Sequence, residues 1–543
     1  MPLTRIRLLF ALGVATGLAL TSCGAPSALS VTPSVTAIGH PTPTAFQPAT
    51  STPSVLRVWI SPAVPDPIRH RLELLAAESA GNLTFATDSE SADVRLEPGG
   101  EVPLTSWIYA VVAPFPMIED ELTSEQLHAA WLQGAVWLAP ETAAAMETLL
   151  GPPAVSPIIV PAEELLERAW AERPSLAIVP FEDLEPRWKV MALDGASPIH
   201  RNFDTAEYPL RLEFGLTGDG WAVGALRQRL TDMPASNRDP NRLTVVVMTG
   251  VTALTRATAA RMETEGVMYP SALIGDWLRQ ADVTHVSNEV SFTPNCPVPR
   301  LASRGLRFCS LPSHFALLED IGVDVVEMTG NHVLDWGPDP FLYTLDLYRA
   351  HGWLTFGGGE NMEQAQQPAL LEHHGNRLAF LGCNPAGPDT AWATETRPGA
   401  APCDFERLAA EIARLRGEGI LPIVTFQWWE SCRVSPDRRQ LEDFRSAVDA
   451  GAVIVSGSQA HSPMSFEFYQ GAFIHYGLGN LFFDQMDALA TRQELIDRHV
   501  FYDGRYISTD VLTALLENYA QPRPMTPDER AALLSALFSA SGW

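Results

Sequence analysis

The chain has 543 residues, 46% of them hydrophobic, enough for two or three globular domains with proper cores. Its 64 acidic side chains outnumber 37 basic ones, for a formal net charge of −27. So acidic a surface repels phosphate backbones, which excludes nucleic acid as a partner, and it keeps the chain soluble.

Residues 1–23 read as an export signal. Arg5 and Arg7 form a short basic region, and Leu8 to Leu20 is an apolar run too short to span a bilayer. The run ends in Leu20-Thr21-Ser22-Cys23, which resembles the lipobox of bacterial lipoproteins. That resemblance implies that Cys23 is lipidated, becomes the mature N-terminus and holds the chain outside the cytoplasm on the cell membrane. No later segment approaches about 18 uninterrupted apolar residues, so no spanning helix is expected. Residues 24–55, rich in Pro, Ser, Thr and Ala with no apolar period, read as an extended tether.

Five cysteines remain, and outside the cytoplasm thiols tend to pair. Cys296 and Cys309 bracket a loop holding Pro297 and Pro299 and are the first expected pair. Two of Cys383, Cys403 and Cys432 pair and one stays free, in an order the spacing leaves open. None shows the close C-x-x-C spacing of a zinc site.

Residues 56–230 show mixed α/β patterning. Strands are expected at Leu56 to Ile60, Trp107 to Val112, Ser175 to Val179 and Trp188 to Leu193. Helices are expected at Pro67 to Ser79 and from Ser124, with Ser124 as its cap and Gln126 nearby. The stretches WIYAVVAPFPMIEDELTSEQLHAAW and SLAIVPFEDLEPRWKVMALDGASPIHRNFDTAEYPLRLEF resemble the type 2 periplasmic solute-binding fold, in its phosphate-binding-like branch. The compact Ser/Gly/Asp anion cluster of that family is not evident, so no ligand residues carry over.

Residues 231–241, with Pro234, Asn237, Asp239 and Pro240, read as a linker. In 242–543 strands and helices alternate. Strands are expected at Leu243 to Met248, Val283 to Ser287, Val325 to Thr329, Ile420 to Phe426 and Val453 to Ser456. Helices are expected at Ser271 to Gln280, Pro312 to Ile321, Pro340 to Ala350, Phe405 to Arg416 and Arg438 to Ala450. A late hairpin follows at Phe466 to Tyr469 and Phe473 to Tyr476.

Polar clusters follow four of these strands: Asn288-Glu289; Gly330-Asn331-His332 with Asp335 and Gly337; Gln427 to Glu430; and Gly457 to His461. Parallel strands deliver such loops to one edge of a sheet, so their oxygen and nitrogen donors converge on one pocket. That is how a metal site is assembled from residues remote in sequence.

TGNHVLDWG, SNEVSF, FGGGENMEQA and HYGLGNLFFDQ, in unbroken order between Leu243 and Asp484, resemble the CapA family of poly-γ-glutamate capsule proteins. The resemblance implies a calcineurin-like metallophosphoesterase architecture, a four-layer αββα sandwich, behind the solute-binding-like α/β domain. It also implies metal ligation by Glu289, Asn331 and His461. His332 stands beside the substrate in a catalytic role, and Asp335, Gln427, Glu430 and Gln459 complete the pocket. Three positions depart from the family. Val251 stands where a metal-binding Asp belongs, and Gln427 and Gln459 each replace a His. Valine cannot donate to a metal, and an amide oxygen is a poorer ligand than imidazole for zinc-like ions. A divalent cofactor (Mn, Fe or Zn) is therefore expected to be weakly held or lost.

The function these signs imply is that of a lipid-anchored envelope protein. It would make, export or anchor an extracellular polymer such as poly-γ-glutamate, with the polymer or its precursor and the capsule synthesis machinery as partners. Two alternatives stand beside it. One is an active metal-dependent hydrolase of a phosphoester or amide bond. The other is an envelope receptor that binds a small anion through residues 56–230.

Overall fold

The computed structural model describes residues 55–430 and 433–543; Cys23, the 24–54 stretch and Cys432 lie outside them. Residues 56–218 build a nine-stranded mixed sheet. Its order is Leu83–Phe85, Leu56–Ile60, Val94–Pro98, Arg211–Gly218, Val102–Pro114, Leu176–Pro180, Val136–Leu138, Ile158–Ile159, with Trp188–Val190 paired to Val102–Pro114. The unbroken apolar run in Val102–Pro114 is buried throughout, as a strand covered on both faces must be. Helix Asp66–Glu78 starts with a proline in its first turn, where the missing N–H has no partner to lose.

The helix expected from Ser124 is capped one residue earlier. Thr123 Oγ1 accepts from the Gln126 N–H and Gln126 Oε1 accepts from the Thr123 N–H. Counted from Thr123, Gln126 is the third helical residue, the spacing such a reciprocal cap requires. Ser124 instead bonds Asp194.

Residues 231–241 pack down rather than hang free. Asn237 exchanges hydrogen bonds with the Ile108 backbone, and Arg238 donates to the carbonyls of Pro198 and His200. The Tyr502 hydroxyl receives the Asp239 N–H and donates to the Asn237 carbonyl. An apolar cluster continues from the first sheet to Leu243, Val245, Val500 and Tyr502.

Two further sheets follow. One runs Leu354–Phe356, Val323–Glu327, Val283–Asn288, Leu243–Thr249, Gln493–Tyr502, Arg505–Glu517, Gln521–Pro524, and is parallel as far as Leu243–Thr249. The other runs Ala369–His373, Asn376–Cys383, Leu421–Gln427, Ile454–Ser458, Ala472–His475, Phe466–Tyr469, with its middle four strands parallel. Alternate residues of each strand face opposite ways. Val246, Met248 and Val325 therefore share a cluster with Phe380, Ile423 and Ile454 of the other sheet. Val247, Val286 and Val326 turn away to meet helical Leu278, Leu318 and Phe341. On the second sheet, Val424, Phe426 and Val455 meet helical Ile412, Leu415 and Phe444.

Most boundaries shift by a residue or two from the sequence expectation, but the helix expected from Ser271 begins only at Gly275. Asn288 and Gln427 end their strands rather than begin loops, and the strand before Gly330 is Val323–Glu327. The long hairpin Gln493–Tyr502/Arg505–Glu517 and the final helix Pro527–Ala540 were not among the sequence expectations, although Thr526, Pro527 and Glu529 form a capping box that announces the helix. Asp497, Arg498 and His499 break the apolar pattern there, yet Asp497 and His499 are buried with partners, His475 and Thr509. Disulfides join Cys296 to Cys309 and Cys383 to Cys403. No described helix is long and apolar enough to cross a membrane.

Candidate functional site

The parallel strands of both sheets lead their loops to one cleft. Two glycines allow the close approaches that shape it. A Cβ on Gly330 would sit 2.7 Å from the Glu289 Cα, and one on Gly250 would sit 2.1 Å from the Gly479 carbonyl oxygen. Only hydrogen fits in those gaps.

Gln427 links three loops. Its amide Nε2 lies 3.2 Å from Asn331 Oδ1 and 3.4 Å from Glu289 Oε1, while its Oε1 receives the Ser458 hydroxyl at 2.8 Å. Glu289 and Gln427 are buried, and Glu289 Oε2 has no partner at all. The amide N–H groups thus face the two oxygens that would otherwise ligate an ion. Turned over, the amide would present its oxygen to the same point and its nitrogen to Ser458, whose hydroxyl can donate to Glu327 Oε1 at 3.0 Å.

These residues fit one divalent ion. Glu289 offers a buried acceptor without a donor, which an ion would satisfy. They do not fit two. Val251 is 0% exposed in an apolar cluster with Val290, Phe308 and Phe483, and offers nothing to ligate. Among the described residues no three His, Cys, Asp or Glu side chains gather as a metal group.

His461 lies beside this centre. Its Nδ1 faces Asn480 Oδ1 at 2.8 Å and its Nε2 faces Glu430 Oε1 at 3.3 Å. The Asn480 amide is oriented by donating to the His461 and Thr491 carbonyls and to Gln485 Oε1. Its oxygen therefore faces the imidazole, and His461 Nδ1 carries the hydrogen. Burial alone would pull the His461 imidazole down. The Glu430 hydrogen bond, the Glu289 charge and Asn480 together hold it above the ordinary range. Reciprocally, the His461 hydrogen bond holds the Glu430 carboxyl below its usual range against partial burial, with the His332 charge helping. Gln459 and His461 both take positive φ, 68° and 53°, a conformation that costs non-glycine residues energy and concentrates at functional sites.

On the opposite side, His332 Nδ1 meets Asp335 Oδ2 at 2.7 Å, and the same oxygen accepts the Phe308 N–H at 2.7 Å. Asp335 so fixes the histidine's tautomer and leaves its Nε2 toward the cleft chemistry. The Phe308 ring packs 4.1 Å from the imidazole.

Of the sequence-derived residues, Gln427 contacts Glu289 and Asn331, His461 and Gln459 both reach Glu430, and His332 pairs with Asp335. Sequence reasoning missed the layer beneath. Glu327 is buried, accepts from Thr329 and Ser458, and stands 3.5 Å from His285. Its carboxyl is held low by His285 in spite of burial. Polar residues inside apolar strands, such as His285 and Glu327, were the available signal. Asp484, which bonds Arg256 and the Ala257 N–H, was another.

In the first sheet's region, a pocket of about 1030 Å³ is lined by Glu163, Glu167, Glu182, Asp183 and Glu185, with Arg187 and Arg505. Burial pushes the Glu182 carboxyl up to about 7, against hydrogen bonds from Asn237 and Trp107. Carboxylates in that number oppose a small anion.

The family described as "Bacterial capsule synthesis protein PGA_cap" matches residues 245–485. The chain is 28% identical over 213 residues to the capsule biosynthesis protein CapA of Bacillus anthracis, covering 38% of this chain and 51% of that protein. It is 26% identical over 189 residues to the PGA biosynthesis protein CapA of Bacillus subtilis, covering 35% and 50%. A probable polyglutamine synthesis accessory protein of Mycobacterium tuberculosis is 25% identical over 181 residues, covering 31% and 48%. The chain thus spans about half the length of the curated relatives it matches. Among solved structures, a 5'-nucleotidase precursor from Thermus thermophilus aligns at 13% identity and TM-score 0.30, over 55% of this chain and 59% of that one. A phosphate transport receptor from Vibrio cholerae aligns at 13% and 0.27, over 32% and 93%. Scores this low carry no argument.

Proposed function

We propose that this chain acts in the synthesis, export or anchoring of an extracellular anionic polymer of the poly-γ-glutamate type. The observation that carries the reading is one of position. Every residue of the cleft from Val251 to Asn480 falls within 245–485, the span matched to capsule synthesis proteins. We read residues 242–543 as a four-layer αββα sandwich and 56–230 as a solute-binding-like module. Cys23 would be the lipid-bearing residue that keeps both at the outer face of the membrane.

The cleft itself is a reduced metallophosphoesterase-like site. Val251 removes a ligand, and Gln427 and Gln459 put weaker amide oxygens where imidazoles would stand. Glu289, Asn331, His332 and His461 remain. When an ion is bound, Glu289 and Asn331 would hold it, with His461 once Glu430 lets go, and it would supply charge stabilisation. The chain's own residues do the rest. His332, set by Asp335, can take or give a proton at Nε2. The amides of Gln427 and Gln459 can pair with amide groups of a polymer backbone.

The test is genetic. Deleting the chain from its host should strip the surface of polymer, and restoring it should bring the polymer back. Glu289→Ala and His332→Ala should fail to restore it, and Cys23→Ser should lose both lipid labelling and membrane retention. Full polymer in the deletion strain sinks the reading.

A second reading, metal-dependent hydrolysis, is favoured by the unpartnered Glu289 Oε2. Mn-stimulated cleavage of a phosphodiester, lost in Glu289→Ala, would establish it over the first.

A further inference from the structure

The disulfide-closed loop 296–309 runs against the charge of the whole molecule. It carries Arg300, Arg304 and Arg307 and no acidic residue, in a chain whose net charge is −27. All three arginines are exposed, and among the described residues none is paired with a carboxylate. Arg304 reaches only the Ser303 carbonyl, and Arg307 donates to the Asp335 carbonyl at 2.6 Å. Like-charged guanidinium groups on one short loop repel one another, which an anion bound among them would relieve.

Behind the loop is an open pocket of about 630 Å³, reaching to helix Arg256–Glu265. Arg256, Arg300, Arg307, His314 and Trp336 line it, and no Asp or Glu does. Trp336 has a buried indole N–H with no acceptor, and the Arg307 guanidinium lies 4.6 Å over its ring. The pocket borders the cleft. Asp335, which sets His332, also anchors the loop through Arg307 and the Phe308 N–H.

On the same loop stand exposed apolar side chains, Val298 ahead of Arg300 at 78% and Leu306 between Arg304 and Arg307 at 77% exposure. A surface that alternates cations with bare apolar groups fits a chain that alternates carboxylates with methylenes. Guanidinium groups grip carboxylates in paired hydrogen bonds. We propose that the pocket between this loop and the helix is the docking site for a linear polycarboxylate, gripped in the pocket by Arg300 and Arg307, met outside it by Arg304 on the same loop, and led past Trp336 to His332. The net charge of −27 repels such a chain at long range, so a basic loop favours where it first lands. This inference rests on the polymer reading above and names where the polymer binds.

The experiment is fluorescence anisotropy of the full chain with short fluorescein-labelled poly-γ-glutamate. The unaltered chain should bind it, less tightly as salt rises. Arg300→Ser and Arg307→Ser should each weaken binding about tenfold, the loss of one charge-assisted pair, and the variant with all three arginines changed to serine should not bind. These side chains are exposed, so an unchanged melting temperature confirms that the variants are folded. Equal binding by the triple variant overturns the inference and leaves the polymer reading standing. No binding by the unaltered chain overturns both. Equal binding of the methyl-esterified polymer, or tighter binding of polyphosphate, overturns the choice of carboxylate.

Discussion

Val251→Asp restores the carboxylate whose loss most reduces the ion site, and the structure sets its cost. Val251 is fully buried against Val290, Phe308 and Phe483. Removing its apolar group from that cluster loses about 2 kcal/mol of burial. An unpaired carboxyl in its place adds about 1–3 kcal/mol, even after taking up a proton. In EDTA the variant should therefore be destabilised by about 3–5 kcal/mol in urea denaturation. With Mn²⁺ present, the new carboxylate joins Glu289 and Asn331 around one ion. At 100 times its dissociation constant a bound ion returns about 2.7 kcal/mol. The variant should thus recover most of its loss in Mn²⁺, while the unaltered chain moves much less. Titration calorimetry should show the same order of affinity. If Mn²⁺ shifts both proteins equally, or neither, the picture of an ion site disabled at Val251 is wrong.

Three further expectations follow from the buried polar groups and the tight loop contact. Glu494 is wholly buried, both its oxygens lack partners, and burial raises its carboxyl well above the ordinary range. A raised acid gives its full stability below the unfolded value of about 4.3 and loses it as pH rises toward the folded value. Glu494→Gln should therefore melt progressively higher than the unaltered chain from pH 4 to 7; parallel melting curves would contradict the assignment. His475 and Asp497 form a buried pair at 2.6 Å that joins the two sheets. Asp497→Ala should cost about 3–5 kcal/mol in urea, whereas removing Glu442 from its exposed pair with Arg438 should leave the urea midpoint essentially unchanged. Gly330→Ala forces a methyl group against the Glu289 backbone and should destabilise by about 1–3 kcal/mol. It should also abolish polymer production; a fully stable and active variant would mean that the two loops do not touch as described.

Much of the cleft was legible in one dimension because its parts are local. An apolar run followed by Gly330-Asn331-His332 announces a strand that ends in a functional loop, and Cys296 with Cys309 announces a closed one. Other features needed the fold. Ser124 looked like the cap, but a one-residue difference in spacing gave that role to Thr123. The hairpin from Gln493 was hidden because its polar residues find partners only once strands pair and sheets stack, His499 with Thr509 across the hairpin and Asp497 with His475 of the other sheet. Arg300, Arg304 and Arg307 gain meaning only beside the pocket behind their loop, which no Asp or Glu lines.

By itself, then, the sequence determined the alternation of strands and helices and the identity of the polar loop residues, because side-chain periodicity and loop chemistry are properties of neighbours along the chain. Only the tertiary structure decided that the Gln427 amide stands against Glu289 and Asn331, which lie 138 and 96 residues away, and that Glu430 holds His461. Such contacts depend on how two sheets are stacked, and no single segment encodes that geometry.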